Sequence, residues 1–371
     1  MDSIISQVQA LAENANESTR RDILDGLRNL ASSLESSQDT VQRIAYVHFQ
    51  PVLIRVGLDL KIFNRLSEVD TPLSVSELSG ETGAAPTLLV GVIRETEKDM
   101  FTANNITKYL SDPGVQSAVY HNVNTIGPAI FALPDFLAEN KYRDIKSPVN
   151  TPLQKAFNID VPAFVWAVTQ PERLGHMHRY MEAEQKGMRP WVDAYPITER
   201  CRDLEPQQVL FVDVGGGLGH QAVALKKQLP EIHNSAIVQD LHVDPNDFIK
   251  HPGVETMKFD FFQPQVVQGA RIYYFRMIMH DYPDEQAAAI LKNTIPVLGP
   301  DSVILIDDMV LPDSGVHWHS TQFDITMMTT LASQERTEEQ WHTLMEKAGL
   351  KIRKIYTYSP RCNSVIECVP I

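Results

Sequence analysis

The stretch that most constrains this chain is Val209-Leu-Phe-Val-Asp213, followed at once by Val-Gly215-Gly216-Gly217-Leu-Gly219 and then a helical pattern from His220 to Gln228. Short runs rich in branched and aromatic residues favour strands. Glycines between strand and helix permit backbone angles that a side chain forbids. Similar runs follow at 236–240, 271–275 and 302–306, with helical patterns at 284–297 and 337–348 between or after them. Strands thus alternate with helices along this half. An α/β domain is therefore predicted, its sheet mostly parallel and covered on both faces. Near the end, "IRKIYTY" and "SVIECVP" predict an antiparallel edge hairpin.

The first half reads differently. Ile4, Val8, Leu11 and Ile23, Leu27, Leu30 recur at helical spacing, and the apolar stretch 42–58 suits a buried helix. Ser74 is placed to cap a helix in "VSELSGETG", and a second helix starts near Ala85 and runs to Val92, in the manner of a small winged-helix unit. Residues 131–200 carry seven scattered prolines, which fits short helices joined by turns.

Charge narrows the function. The 371 residues hold 33 Lys+Arg against 47 Asp+Glu, a net charge of −14. Such a surface repels nucleic acid and anionic lipid. No long apolar run suggests a membrane span or a signal peptide. Cys201, Cys362 and Cys368 are few and far apart, so neither disulfides nor a zinc site is expected. No metal is expected, and a cytoplasmic location is the expectation.

The glycine loop reads Asp-x-Gly-Gly-Gly-x-Gly, with an acid just before it. A pyrophosphate would meet that acid unfavourably, whereas a cationic amino group would be held by it. Asp240 ends the next strand, where a carboxylate can take ribose hydroxyls. Asp260-Phe261-Phe262 offers an acid and rings for an adenine.

"FVDVGGGLGH", "VQDL", "FDFFQPQ", "FRMIMHDYPDE", "LIDDMVLPD", "FDITMM" and "QERTEEQWHTLMEKAGL" stand in this order. Together they resemble the S-adenosylmethionine-dependent O-methyltransferases of the plant caffeate and flavonoid type, in their fungal secondary-metabolism branch. The resemblance covers about residues 40–371. It implies a Rossmann-like class I methyltransferase domain over 196–371, an N-terminal all-α winged-helix dimerisation domain over 1–125, and a helical linker over 126–195 that contributes to the substrate pocket. It further implies a homodimer acting on a small molecule.

Carried over by residue, the resemblance places the cofactor, S-adenosylmethionine, against Asp213, Gly215, Gly217, Asp240, Asp260, Phe261 and Arg276. It makes His280 the general base for a hydroxyl of a small aromatic or polyketide-type acceptor, with Asp308 and Glu335 holding that histidine. A neutral imidazole is well matched to a phenol proton. Met177, Met181, Met327, Met328, Asp324 and His121 are the candidates for the acceptor pocket. Core filling competes for the methionines, a solvated surface for Asp324, and a structural burial for His121. Some fungal relatives resemble pericyclases, which bind the cofactor without moving its methyl group. That is the alternative activity, and there His121, Arg276 or His280 would polarise a carbonyl. One departure from the family stands after Val90, where the second winged-helix helix is expected to be shortened.

Overall fold

A computed structural model of the chain describes residues 2–85, 93–185, 189–241, 243, 248–359 and 361–371. The helix expected over 85–92, and its shortening after Val90, lie outside the described residues apart from Ala85. The chain forms two compact units, Met1–Val119 and Tyr120–Ile371. Among the described residues no helix is long and apolar enough to cross a membrane.

The first unit is mostly helical and carries a small antiparallel sheet. Its strands β1 (Leu73–Ser74), β2 (Arg94–Glu97) and β3 (Met100–Thr102) lie in the order β1-β3-β2. Ser74 caps helix Val75–Thr82: its hydroxyl accepts from the Glu77 amide while Glu77 reaches back to the Ser74 amide. Leu66, Leu78 and Phe101 form a small core with Ile62 and Leu73.

The apolar stretch 42–58 departs from the expected buried helix. It breaks across helices Ser37–Tyr46 and Phe49–Asp59; Ile44, Phe49, Val52 and Leu53 are exposed, while Gly57 and Leu58 are buried. Helical spacing predicts an apolar face but not what covers it, and among the described residues most of that face is left exposed.

The second unit is built on one sheet. Strands β4 (Phe211–Val214), β5 (Ala236–Asp240), β6 (Val254–Lys258), β7 (Ile272–Arg276) and β8 (Val303–Leu311) pair in parallel. A two-residue β9 (Arg336–Thr337) adds to β8. The hairpin of β10 (Leu350–Thr357) and β11 (Asn363–Pro370) closes one side antiparallel, giving the order β10-β11-β8-β7-β4-β5-β6.

Alternate residues of the central strands enter two separate cores. Val212, Val214, Tyr273, Phe275, Ile304 and Ile306 pack on one face with Trp341 and Leu344. Phe211, Ile272, Tyr274, Val303 and Leu305 pack on the other with Trp191 and Tyr195. Period-two side chains buried on both faces explain why these strands read as continuous apolar runs. Adjacent polar residues in such a strand must point to opposite faces, and that rule sets the site described next.

Candidate active site

The glycine loop leaves β4 at its C-terminal end. Gly215 and Gly217 have φ of +71° and +54°, conformations that side-chain-bearing residues rarely adopt. A Cβ on Gly215 would come within 2.6 Å of the Ile278 side chain, so the loop lies tight against the turn after β7. Around Gly217 the corresponding space is open.

Asp213, the last acid of β4, is buried, and its Oδ2 has no partner. Burial pushes its carboxyl up to about 7. A buried carboxylate that accepts from the Ala222 amide and leaves one oxygen unpartnered, beside an open glycine cradle, suits a cationic group. Asp240 ends the neighbouring strand, and its carboxylate accepts from the Gly217 amide at 3.1 Å. Asp260 stands just past β6, with its carboxylate on the Phe262 amide at 2.9 Å. The Phe261 ring packs edge-on against Tyr282, with 5.8 Å between centroids. The glycine loop, Asp240 and the aromatic edge of Phe261 therefore come from the ends of three adjacent parallel strands. Ligands of open α/β sheets sit at that edge.

The second group follows β7. Met277 turns the chain at φ +52°, and residues 279–281 make one short helical turn carrying His280. The His280 ring is buried and its Nδ1 meets Glu335 Oε1 at 2.7 Å. That contact puts the Nδ1 proton on the glutamate side. Nε2 is then the atom turned to other partners, with Asp281 Oδ1 3.4 Å away.

Asp308 takes a different place from a direct ring contact. Its Oδ2 accepts from the Met279 amide at 3.2 Å, and its buried Oδ1 has no partner. Burial alone would pull the His280 pKa down. The charges of Glu335, Asp281 and Asp308 override it and push the ring up to about 10. In return, burial pushes Asp308 up to about 7 and Asp281 up to about 6. The group holds protons that free side chains would have released.

A cavity of about 750 Å³ opens beside His280. His121, Met177, Met181 and Met327, expected as pocket residues, line it, and so does Arg276, expected at the cofactor. Met328 does not, because one helical step turns it about 100° from Met327. Asp324 is also absent from the wall and instead accepts from the Glu335 amide at 2.9 Å. His121 stacks on Tyr180 with 5.7 Å between centroids, and burial pushes its pKa down to about 4. It is a neutral ring at ordinary pH.

Arg276 reaches the cavity from the end of β7, and Asp307 holds it at 2.6 Å. Asp307 also accepts from Tyr274 at 2.5 Å and from Tyr358 at 2.7 Å.

Sequence reasoning missed Asp307, Tyr358 and Arg336. The pair Asp307-Asp308 in a buried strand was the available signal for the first. Neighbours in a strand face opposite ways, so one acid serves Arg276 and the other the turn of His280. Arg336 is fully buried and donates to the carbonyls of Met279 (2.8 Å) and Tyr282 (2.9 Å) as well as to Asp284.

Comparison with known proteins agrees with this geometry. Residues 151–351 match the O-methyltransferase domain family. Demethylsterigmatocystin 6-O-methyltransferase of Aspergillus parasiticus is 36% identical over 380 residues, covering 100% of this chain and 98% of that protein. The solved structure of LepI in complex with SAM has a TM-score of 0.94 at 35% identity, over 100% of this chain and 98% of that one. A structure described as a pericyclic reaction enzyme gives 0.93 at 35% identity, over 100% and 99%.

Proposed function

Because the chain belongs to the O-methyltransferase domain family, we propose that it is an S-adenosylmethionine-dependent O-methyltransferase that methylates a hydroxyl of a small aromatic or polyketide-type metabolite. The observation that carries this reading is the His280–Glu335 pair on the wall of a 750 Å³ cavity, next to a glycine cradle with an orphaned acid.

Asp213, Gly215, Gly217, Asp240, Asp260 and Phe261 would hold the cofactor. Arg276, fixed by Asp307, stands at the cavity wall beside them in the chain's order of strands. The bound cofactor supplies an electrophilic methyl group on a positive sulfur. Glu335 keeps the His280 ring in the tautomer whose Nε2 accepts a proton, and it stabilises the imidazolium once that proton has arrived. Asp308, through the Met279 amide, fixes the turn on which the ring is mounted. The Met177, Met181 and Met327 side chains give an apolar wall that excludes water from the hydroxyl.

His280 at about 10 is protonated near neutrality and must be relieved of that proton before it can act. A positive charge in the adjoining cradle opposes the imidazolium and lowers its hold on the proton. Incubation with labelled cofactor and a panel of phenols tests the reading. Methyl transfer is expected to vanish in His280→Ala, and transfer at an unaffected rate would remove His280 from the role.

One observation favours a second reading. A protonated, buried His280 is a hydrogen-bond donor suited to polarising a carbonyl. With 35% identity to a pericyclic reaction enzyme, it supports a pericyclase that binds the cofactor and transfers nothing, with Arg276 and His121 as further polar groups. Product formed without S-adenosylhomocysteine would decide for this reading.

We further propose that residues 1–125 form a dimerisation domain, 126–195 a linker that contributes to the pocket, and 196–371 the catalytic domain. A homodimer accounts for the exposed Ile4, Leu11, Leu30, Leu34, Val41 and Ile44 of the first helices. The acidic chain is assigned to the cytoplasm. A monomeric mass in light scattering at micromolar concentration would end the dimer proposal.

A further inference from the structure

The cavity has a second charged group that the catalytic reading does not use. Glu184, His319 and Arg361 all line it. His319 sits in the first turn of helix Trp318–Leu331, which at 14 residues is about 21 Å long. His280 is tied to Glu335, just beyond the other end of that helix. The two groups thus sit at opposite ends of one helical wall.

The local geometry leaves a cation in need of an acceptor. His319 Nε2 lies 3.4 Å from Glu184 Oε1 and 3.5 Å from Arg361 Nη1. Its Nδ1 is buried without a partner. An N–H at Nδ1 would be an orphaned donor, so the proton belongs on Nε2, where Glu184 accepts it. The ring then offers Arg361 no lone pair. Among the described residues Arg361 has no carboxylate within ion-pair distance.

Glu184 is committed to His319 and to the neighbouring Tyr180. Burial and the Glu184 charge hold the Tyr180 phenol in its neutral form. Arg361 is fixed by its backbone: its amide donates to Ser359 Oγ at 3.1 Å and its carbonyl accepts from Ser320 Oγ at 3.0 Å. The loop between β10 and β11 is thereby docked on the first turn of the helix.

We propose that Arg361, held by its docked loop and left without a carboxylate partner, anchors the substrate by an anionic carboxyl-type oxygen at the end remote from the hydroxyl held at His280. A guanidinium presents a planar fork of donors that matches two adjacent oxygens sharing a negative charge, as in a carboxylate or the enolate of a β-dicarbonyl. The apolar side chains between the two ends, Phe323 and Met327 among them, fit the carbon skeleton. The proposal rests on the small-molecule reading above, and it defines the acceptor as a long, two-ended acid.

The test uses 12-(4-hydroxyphenyl)dodecanoate, whose extended apolar chain carries a hydroxyl and a carboxylate far enough apart to reach both ends of that helix, and its methyl ester. Binding to the full-length protein is measured by calorimetry. The acid is expected to bind about tenfold more tightly than the ester, the scale of one charge-assisted pair. Arg361→Met should abolish that preference. Arg361→Gln, which keeps polarity and removes charge, should abolish it as well and decides the matter if the first variant does not fold.

Equal affinity of acid and ester for the wild type, no binding of either, or a preference that survives the substitution overturns the anchor. S-adenosylhomocysteine release is followed separately. A preserved acid preference with no release counts against methyl transfer and leaves the anchor standing. Release with no acid preference does the reverse.

Discussion

Glu335 and Arg336, neighbours in the chain, hold the turn of His280 in two ways. Glu335 accepts from the ring at 2.7 Å, and Arg336 donates to the carbonyls of Met279 and Tyr282 on either side of it. The acid sets the charge state of the ring, and the base sets where the ring stands. Both ride on β9, the two-residue strand zipped to β8, and on the residue before it.

Arg336→Met is therefore expected to damage stability before chemistry. It removes one donor from each of two carbonyls, which keep the Tyr282 amide and the Ser333 hydroxyl, and it strips the half-exposed Asp284 of its partner. A loss of about 2 kcal/mol is expected from the lost charge-assisted hydrogen bonds, the half-exposed pair with Asp284 adding little. Urea unfolding at neutral pH measures it, and a change below about 0.5 kcal/mol, typical of surface sites, would contradict the clasp.

Glu335→Gln keeps an acceptor for Nδ1 and removes its charge. The His280 pKa should fall, by about 1–3 units for the loss of one close opposite charge. The histidine signals followed by NMR across pH, or the pH profile of turnover, report it. An unmoved titration would mean that Asp281 and Asp308 hold the ring charged by themselves.

Stability should fall as pH rises. Asp213, Asp281 and Asp308 sit at about 7, 6 and 7 when folded against 3.8 when free. The native state thus binds more protons than the unfolded chain, and the stability this gives, complete below pH 3.8, is lost as pH climbs through 6 and 7. His280 acts in the same sense: its contribution is present below 6.5 and lost as pH passes about 10. Denaturant midpoints taken from pH 5 to 9 should decline. Asp308→Asn, which keeps an acceptor for the Met279 amide, should flatten the part between 4 and 7.

Asp213→Ala removes the orphaned acid beside the glycine cradle. Affinity for S-adenosylhomocysteine, read by calorimetry, should drop at least about tenfold if that carboxylate holds the ligand's ammonium, the scale of one charge-assisted contact. Unchanged affinity would assign Asp213 to the core alone.

Much of this was legible because strands report themselves locally. The run 209–213, its glycines and the final hairpin needed only composition and spacing, and the α/β sheet followed. His280 and Glu335 were legible through their motifs. Tyr358 and Arg336 were not. Tyr358 meets Asp307 51 residues away, and Arg336 meets Met279 57 residues away. Such pairings are set by which strands become neighbours, and no local pattern encodes them. Met327 and Met328 show the finer limit: both suit a pocket by type, and only the rotation of a folded helix selects one. The stretch 42–58 shows a further limit, since an apolar stripe is written the same way for a chain's own core and for another surface.

The helix Trp318–Leu331 has a consequence for how such a chain can diverge. Among the described residues, no hydrogen bond or ion pair joins its far end, with His319 and Arg361, to the His280 turn. Mutations there leave the proton-handling pair and its clasp intact. A lineage built on this plan can change what it accepts one helical turn at a time, while the reactive end is inherited unaltered.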